Sequence, residues 1–446
     1  MPSPVLVADP SRLAKATPVY LLLRDDPLPD DAVETARLAK FGGEIGQTCA
    51  FSGGYLVGAG GGEDPLALGA AGSSLPAGDY KLALHPEGFD LDLSALAFAL
   101  GTYRFAKYRE AVEPPVLVLE DASQAEAIAR EAASAAFGRD LINTPAEEMG
   151  PDGLEEAARA LAAAHGAGVT VYQGDGFAEG FPLIHAVGRA AEKAPRLIVV
   201  NWSGGDGPNL ALIGKGVCFD TGGLNLKPGG AMGLMKKDMG GAGTALALAR
   251  RIMEEKVPMN LRLLIPAVEN AVSGNAFRPG DVFRARDGQT VEISNTDAEG
   301  RLILADAIAL AVEGKPDRMI TLATLTGAAR IALGPDLPPI YSTEPEFQER
   351  VLEAGARLAD PLWPMPFWDR YESFLRSDIA DVNHAADTPF AGSITAALFL
   401  RRFAHDVPYT HIDTFAWVPK PLPGRPKGGE VLAMRALLAA LREDTA

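Results

Sequence analysis

The chain has 446 residues, of which 47% are hydrophobic and 22% charged, so it is long enough for two or more domains with a large core. Its formal net charge of −17 and its pI of about 4.9 argue against a nucleic acid or an anionic membrane surface as partner. Cys49 and Cys218 are far apart in the sequence, which argues against a disulfide framework and favours a reducing compartment. The first residues lack the pattern of a signal peptide, and no apolar run approaches the ~18 residues of a transmembrane helix. We therefore expect a cytoplasmic protein.

The first 120 residues contain strand-like and helix-like segments, which predict a small N-terminal α/β domain over residues 1–120. The predicted strands are 19–23, 55–57, 80–84 and 116–120, and the predicted helices are 31–41 and 94–109. An alanine-rich segment follows and stops before Pro145, since the residue preceding a proline disfavours helix. We predict that residues 121–142 form a connecting helix.

In residues 143–446, strand-like and helix-like segments alternate. The predicted strands are 169–172, 197–202, 210–213, 261–266, 290–294, 319–323 and 409–413. The predicted helices are 152–165, 243–255, 302–313, 347–359, 393–404 and 430–441. This alternation predicts a larger C-terminal α/β domain, with a mostly parallel central sheet covered by helices on both faces.

Residues 295–302, with the sequence NTDAEGRL, lie between a predicted strand and a predicted helix. Residues i and i+2 of an extended chain point the same way, so Asp297 and Glu299 can aim at one point. Gly300 permits the change from strand to helix, and Arg301 would lie in the first helical turn. A short acidic loop before a helix can also be a simple helix cap, so this stretch alone leaves the function open.

A second stretch, residues 214–241, places further ionisable side chains among glycines. Lys215 follows a buried strand, and Asp220, Lys227 and Asp238 come soon after it. Ligands of open α/β sheets bind beyond the carboxyl ends of the strands, so we expect these groups to meet the acidic octapeptide. Four clustered carboxylates would be prohibitively charged without compensation. Divalent cations offset such charge, and oxygen ligands suit Mg²⁺, Mn²⁺ or Zn²⁺.

With these residues in view, the chain resembles the leucyl aminopeptidase family of dinuclear metallo-aminopeptidases, whose signature is NTDAEGRL. The matching motifs, from about residue 103 onward, are GKG at 214–216, FD at 219–220, GG at 222–223, KP at 227–228, DMGG at 238–241, EN at 269–270, RPGD at 278–281, TLTGA at 324–328 and AGSITAA at 391–397. Residues 1–100 match the family only in general character. The resemblance implies a C-terminal catalytic metallopeptidase domain at 143–446, which releases N-terminal amino acids from peptides by attack of a water or hydroxide bridging two divalent metals.

The resemblance also implies a role for individual positions. Lys215, Asp220, Asp238 and Glu299 match the ligands of a tighter metal ion, whereas Asp220, Asp297 and Glu299 match those of a more exchangeable one. Lys227 resembles the lysine that polarises the scissile carbonyl, and Arg301 the arginine that holds a bicarbonate ion as general base. The positions matching the substrate pocket are Met235, Asp238, Thr324, Leu325 and Gly327. The family further implies Zn²⁺ or Mn²⁺, peptide substrates with a free N-terminus and a homohexamer.

The sequence departs from the family after His411-Ile412-Asp413, where residues 414–417 are shortened and residues 419–429 are rich in proline and glycine. We expect this change to alter the substrate pocket. Two other functions are open at this point. Clustered carboxylates with two metals also serve phosphoesterases, although a lysine ligand and the lack of histidine ligands oppose that function. A DNA-binding N-terminal domain is opposed by its acidity.

Overall fold

A computed structural model describes residues 5–445 of the chain, which divide into two compact units. The first unit contains the described residues up to Phe137 together with Val418–Gly428, and the second contains Gly138–Trp417 and the described residues from Gly429 onward. The division falls within the helix α5, Ala122–Asn143. Within the described residues, no helix is both long enough and apolar enough to cross a bilayer.

The first unit is built on a six-stranded sheet with the order β1-β6-β5-β2-β4-β3. The strands are β1 Leu6–Ala8, β2 Thr17–Leu22, β3 Thr48–Phe51, β4 Gly54–Gly58, β5 Gly78–Leu84 and β6 Pro115–Leu119, and the helices are α1 Pro10–Leu13, α2 Val33–Ala39, α3 Gly69–Ser74 and α4 Leu91–Gly101, with a 3-10 helix at Asp30–Ala32. All neighbouring strands are parallel except β3 and β4. The helix predicted at 94–109 ends early, because the Thr102 hydroxyl donates to the Ala99 carbonyl and satisfies the helix end.

The second unit is built on a nine-stranded sheet with the order β16-β15-β18-β14-β9-β11-β8-β7, and β10 also pairs with β11. Its strands are β7 Gly168–Tyr172, β8 Arg196–Ser203, β9 Asn209–Gly214, β10 Gly216–Asp220, β11 Asn260–Asn270, β14 Arg318–Ala323, β15 Pro339–Ser342, β16 Trp363–Pro364 and β18 Tyr409–Asp413. The central strands β18, β14, β9, β11 and β10 are parallel, while β8 and β15 run antiparallel to their inner neighbours. The predicted mostly parallel sheet is confirmed.

Helices and short elements complete the second unit. The helices are α6 Pro151–His165, α7 Phe177–Gly180, α8 Pro182–Gly188, α9 Gly229–Met232, α10 Gly240–Glu254, α11 Glu299–Glu313, α12 Gly327–Leu333, α13 Pro345–Arg357, α14 Gly392–Ala404 and α15 Met434–Glu443, with 3-10 helices at Met235–Met239 and Asp369–Leu375. The remaining strands of this unit are β12 Val282–Arg284, β13 Thr290–Glu292 and β17 Val382–Asn383. Two short strands, β19 Trp417–Val418 and β20 Gly428–Gly429, lie where the chain passes from one unit to the other.

The central sheet is buried on both faces. Ala211 and Ile213 of β9 belong to one hydrophobic cluster with Leu302, Ile303 and other residues of α11. Leu212 between them is equally buried, and successive strand residues point to opposite faces. A near-continuous apolar strand such as β9 therefore forms, because both of its faces lie in the core.

The strand predicted at 290–294 is not part of this central sheet. It forms β13, which lies between β12 and β17 in a separate three-stranded sheet. Its local composition favours a strand, but nothing in that composition specifies the partner strands. The octapeptide therefore follows a small accessory sheet rather than a strand of the central sheet.

Candidate metal centre

Lys215 lies between two strands of the central sheet, where β9 ends at Gly214 and β10 begins at Gly216. Its side chain is 3% exposed, and its Nζ lies 2.7 Å from Asp238 Oδ2 and 3.0 Å from Glu299 Oε1. The same ammonium donates to the Thr324 carbonyl at 2.8 Å. Lys215 therefore joins three separate elements at one buried point.

Asp220 is the last residue of β10 and is 2% exposed. Its Oδ1 accepts from the Gly222 backbone amide and from Asn270 Nδ2, each at 2.8 Å. Asn270 is the last residue of the adjacent strand β11, and its Nδ2 also donates to the Thr296 carbonyl at 3.0 Å. Asn270 thus links Asp220 to the acidic octapeptide. The sequence analysis did not identify this role, and the available signal was a polar residue at the end of an apolar strand.

Lys227 connects the first carboxylate to the octapeptide. Its Nζ lies 2.7 Å from Asp220 Oδ2 and 2.5 Å from Asp297 Oδ1, and 14% of its side chain is exposed. The backbone amide of Lys227 donates to the Thr221 carbonyl at 2.9 Å, which folds the intervening loop back toward β10. The ammonium is therefore held at the rim of the centre, where solvent still reaches it.

The octapeptide is the predicted turn into a helix, since α11 begins at Glu299. Oxygen atoms of Asp220, Asp297 and Glu299 all lie within 4.8 Å of one another. His384 supports the preceding chain, because its Nε2 lies 2.8 Å from the Asn295 carbonyl oxygen. The sequence indicated no histidine in the site. The supporting role of His384 depends on the accessory sheet, which brings it next to the octapeptide.

Asp238 reaches the centre from the 3-10 helix Met235–Met239 rather than from a strand end. It is 4% exposed, and its Oδ1 accepts from the Thr324 hydroxyl at 2.8 Å. Thr324 follows β14, so this bond ties the 3-10 helix to the edge of the central sheet. The structure therefore brings together all five side chains that the sequence proposed as metal ligands.

The electrostatics of this cluster show an excess of negative charge. Burial raises the pKa of Glu299 to about 7, and the neighbouring charge of Asp220 adds to the rise. Burial also raises the pKa values of Asp220 and Asp297. Burial acts to raise the pKa of Asp238, but the combined attraction of Lys215, Lys237 and Lys227 outweighs it and lowers the pKa. Two lysines offset only part of the charge of four carboxylates.

The donor set fits a divalent cation. Among the described residues, Glu299 Oε2 is a buried carboxylate oxygen without a hydrogen-bond partner, and such an atom is costly unless a cation or a donor binds it. The convergent oxygens of Asp220, Asp297 and Glu299 are hard ligands, of the kind that Mn²⁺ and Mg²⁺ prefer and Zn²⁺ accepts. The geometry and the charge therefore favour a metal-binding role over a helix cap.

Arg301 is 7% exposed and is the third residue of α11, in the first helical turn as predicted. Its Nη1 donates to the His384 carbonyl at 2.8 Å, while its Nε has no hydrogen-bond partner within the described chain. Burial lowers the pKa of Arg301 to about 10. Neither Asp297 nor Glu299 forms an ion pair with Arg301 in the part of the chain that the structure describes, so the guanidinium does not brace the turn through a carboxylate of the octapeptide.

Of the positions predicted for the substrate pocket, Thr324 contacts Asp238 directly. Met235 lies on the same 3-10 helix, Leu325 follows Thr324, and Gly327 begins α12. A Cβ added at Gly327 would meet nothing within 4 Å, so this position faces open space.

Known proteins share both units of this chain. The family "Cytosol aminopeptidase family, catalytic domain" matches residues 136–438, and "M17 aminopeptidase, N-terminal domain" matches residues 34–119. A probable cytosol aminopeptidase of Syntrophotalea carbinolica is 40% identical over 366 residues, which are 77% of this chain and 73% of that protein. A second, of Roseiflexus castenholzii, is 39% identical and covers 78% of this chain and 75% of its own.

Solved structures give the same result. The crystal structure of a cytosol aminopeptidase from Coxiella burnetii is 39% identical, covers 100% of both chains and has a TM-score of 0.91. The bottromycin maturation enzyme BotP, solved in complex with Mn, is 29% identical over 100% of both chains with a TM-score of 0.87. These similarities confirm the resemblance drawn from the octapeptide and do not favour a phosphoesterase or a DNA-binding protein. The chain belongs to the cytosol aminopeptidase family and is a metallo-aminopeptidase, a peptidase of the hydrolase class.

Proposed function

We propose that this protein removes N-terminal residues from peptides at a centre of two divalent cations, Zn²⁺ or Mn²⁺. The observation that carries the proposal is the convergence of Asp220, Asp297 and Glu299 oxygens within 4.8 Å of one another. When bound, such cations would supply a strongly nucleophilic water at neutral pH and would polarise the peptide carbonyl. The rest of the chemistry belongs to side chains of the protein.

The cations would be held with unequal strength. The side chains of Lys215, Asp220, Asp238 and Glu299 would hold the tighter one, and each is no more than 5% exposed. Asp297, together with Asp220 and Glu299, would hold the other, and its side chain is 33% exposed. Lys215 would bind as a neutral amine, so its proton would be released when the cation binds.

Asp238 would also receive the free amino group of the substrate. Its carboxylate is held between Lys215 and the Thr324 hydroxyl, which prevents rotation away from the pocket. Met235, Thr324, Leu325 and Gly327 would surround the first side chain of the peptide. A peptide without a free amino group could not form the charged contact with Asp238. This requirement would restrict cleavage to the N-terminal residue of the peptide.

Two cationic side chains would stabilise the reaction. Lys227 lies at the partly exposed rim, where its ammonium would donate to the carbonyl oxygen and stabilise the developing oxyanion. Arg301 has an unpartnered Nε among the described atoms, and we propose that it holds a bicarbonate ion that accepts a proton as general base. Because the arginine forms no carboxylate pair within the described chain, its charge is available for an anion.

We propose a cytoplasmic homohexamer, on the basis of the family and of the relatives named as cytosol aminopeptidases. We also propose the domain boundaries 1–120, 121–142 and 143–446, with catalysis in the last. Light scattering would test the assembly, since a hexamer has six times the 46.8 kDa mass of one chain. A stable species at the mass of a single chain would contradict the hexamer.

The function is tested by comparing aminoacyl-p-nitroanilides with p-nitrophenyl phosphate, with metal removed and with Mn²⁺ or Zn²⁺ restored. We expect metal-dependent hydrolysis of the anilides alone, and a Glu299→Gln variant should lose both metal and activity. Glu292→Gln is the matched control, since that carboxylate is bound by the Ser377 hydroxyl outside the cluster. Full activity of metal-free protein, or equal loss in both variants, would contradict the proposal.

The role of Arg301 is tested with bicarbonate. Degassed wild-type protein should be stimulated when bicarbonate is added, whereas Arg301→Ala should be slower and insensitive to it. General-base assistance is typically worth ~10²–10⁴ in rate. Metal content measured on both proteins separates this role from a structural one, because loss of metal without any bicarbonate effect would reject the relay.

A further inference from the structure

Lys237 is a buried cation without an anionic partner beside the proposed substrate pocket. It lies on the 3-10 helix Met235–Met239, between the pocket residue Met235 and the ligand Asp238, and is 5% exposed. Among the described residues, its ammonium forms no hydrogen bond and no ion pair, and its one polar contact is the Phe415 ring, whose centroid lies 4.7 Å from Nζ. A buried ammonium is costly unless it is paired, so this position requires an explanation.

A second cation also lies against the Phe415 ring. Arg330 Cζ is 5.0 Å from the centroid of Phe415. Arg330 is three residues after Gly327 on α12, and residues i and i+3 of a helix are neighbours on its surface. The guanidinium is exposed, and it forms no ion pair with any carboxylate of the described chain. Two cations thus contact one aromatic ring, Lys237 from the 3-10 helix and Arg330 from α12.

The ring is held in place by the segment that departs from the family pattern. Thr414 donates its backbone amide to the Ala323 carbonyl at 2.8 Å. Ala416 has a φ of +52°. It packs closely on Gly240 at the start of α10, where an added Cβ would lie 2.3 Å from the Cβ of Ala416. Phe415 lies between these two anchored residues, so its position against Lys237 and Arg330 is built into the fold.

The nearby carboxylates are already occupied. Asp238 is held by Lys215 and the Thr324 hydroxyl. Asp413 accepts from the backbone amides of Leu325 and Thr326 and from the Thr326 hydroxyl at 2.9, 3.1 and 2.6 Å, and from the Ser393 hydroxyl at 3.3 Å. Lys215 is the other cation that faces Lys237 besides Arg330. Asp238 and Asp413 attract the Lys237 ammonium from a distance, but among the described residues neither forms an ion pair with Lys237 or Arg330.

We infer that the pocket of this enzyme accepts an acidic N-terminal residue, glutamate or aspartate, whose side-chain carboxylate pairs with Lys237 and Arg330 while its methylene groups pack on Phe415. The inference rests on the proposed function and adds the substrate class to it. A carboxylate would replace the missing anion at Lys237, and charge-assisted hydrogen bonds are the strong ones in a buried setting.

The test compares glutamyl and glutaminyl p-nitroanilides, which have nearly the same shape but differ in charge. Wild-type protein should favour the glutamyl substrate in kcat/KM by roughly 10- to 100-fold, the factor of a hydrogen bond to a charged group. Lys237→Met should remove most of that ratio, Arg330→Gln should reduce it less, and Lys237→Arg should retain it. Lys236→Met is the matched control, because the Lys236 ammonium donates to the Asn143 carbonyl at 2.6 Å instead, and its ratio should equal that of wild type.

The outcomes separate this inference from the function on which it rests. Hydrolysis of leucyl and glutaminyl substrates without preference for the glutamyl one would overturn the inference and leave the aminopeptidase function intact. An unchanged ratio in Lys237→Met would also overturn it. Failure of wild-type, metal-loaded protein on all three substrates would overturn both. A second measurement, which needs no variant, compares free glutamate with free glutamine as competitive inhibitors of the wild-type protein. Glutamate should inhibit more strongly, and stronger inhibition by glutamine would count against the inference.

Discussion

Gly300 is a position where one added methyl group tests the geometry of the metal centre. It is the second residue of α11, between Glu299 and Arg301. Its backbone is helical, so alanine suits it and should favour the helix by ~1 kcal/mol. However, a Cβ at this position would lie 2.5 Å from Lys215 Cε and 2.7 Å from Nζ. Since non-bonded carbon atoms prefer roughly 3.5 Å, the lysine must withdraw by about 1 Å.

Such a shift would disturb every contact of Lys215. Its Nζ is held by Asp238 at 2.7 Å, by Glu299 at 3.0 Å and by the Thr324 carbonyl at 2.8 Å. A misplacement of about 1 Å at a reacting centre can cost ~10² in rate. We therefore expect Gly300→Ala to remain folded, to bind the tighter metal more weakly and to lose about 10²-fold in kcat/KM.

The assay measures metal content, kcat/KM and thermal unfolding on the same preparation. Gly230→Ala is the control, since a Cβ added there in α9 would meet nothing within 4 Å, and it should behave as wild type. Excess Mn²⁺ should restore part of the activity of Gly300→Ala. If this variant retains its metal and turns over at the wild-type rate, Lys215 is not a ligand in the position that we assign to it.

Three further predictions follow from named contacts. Lys227→Ala should lower kcat by ~10²–10³ with less effect on KM, as expected for loss of an oxyanion donor; steady-state kinetics would show a pure KM effect if the lysine only binds substrate. N-acetylation of a peptide should abolish its cleavage, because the amino group that Asp238 receives is then neutral, and equal rates for blocked and free peptide would exclude an exopeptidase. Glu430→Ala should destabilise the second unit by ~3–5 kcal/mol, because Arg139 and Glu430 pair at 2.8 Å with side chains only 1% and 5% exposed; an unchanged urea midpoint would show that the pair contributes nothing.

Local sequence predicted the elements that carry the chemistry. A helix does begin within the octapeptide, at Glu299. Asp297 and Glu299 do approach one point together with Asp220. The chain between these two residues is not extended as predicted, since residues 296–297 form a turn and Glu299 is already helical, so the i and i+2 argument does not explain their convergence. The helix start was predicted correctly because it is a local property of the chain. The same holds for α5, which ends at Asn143 before Pro145 as predicted.

Distant contacts were not predictable in this way. The sequence predicted that Asp238 would gather with the other carboxylates near strand ends, but the residue lies on a 3-10 helix and is positioned by Thr324. The accessory sheet joins β13 to β17, about ninety residues later in the chain, through the pairs Val291–Val382 and Glu292–Asn383. Hydrophobic periodicity indicates what kind of element forms, but it does not specify which elements pair. The contact between Lys237 and Phe415 was hidden for the same reason.

Two glycines of the matching motifs, Gly214 and Gly241, are needed for close packing of the backbone beside the metal centre. A Cβ at Gly241 would lie 2.1 Å from the Leu322 carbonyl oxygen, and one at Gly214 would lie 2.6 Å from Ala242 Cα. These contacts involve backbone atoms, which cannot move aside as a flexible side chain can. Bare backbone at both positions therefore lets the start of α10 approach β9 and β14 closely. Asp238 lies two residues before α10, and Lys215 immediately follows β9. This close approach therefore sets the distance between the two side chains, and a larger residue at either glycine would separate them without altering a ligand.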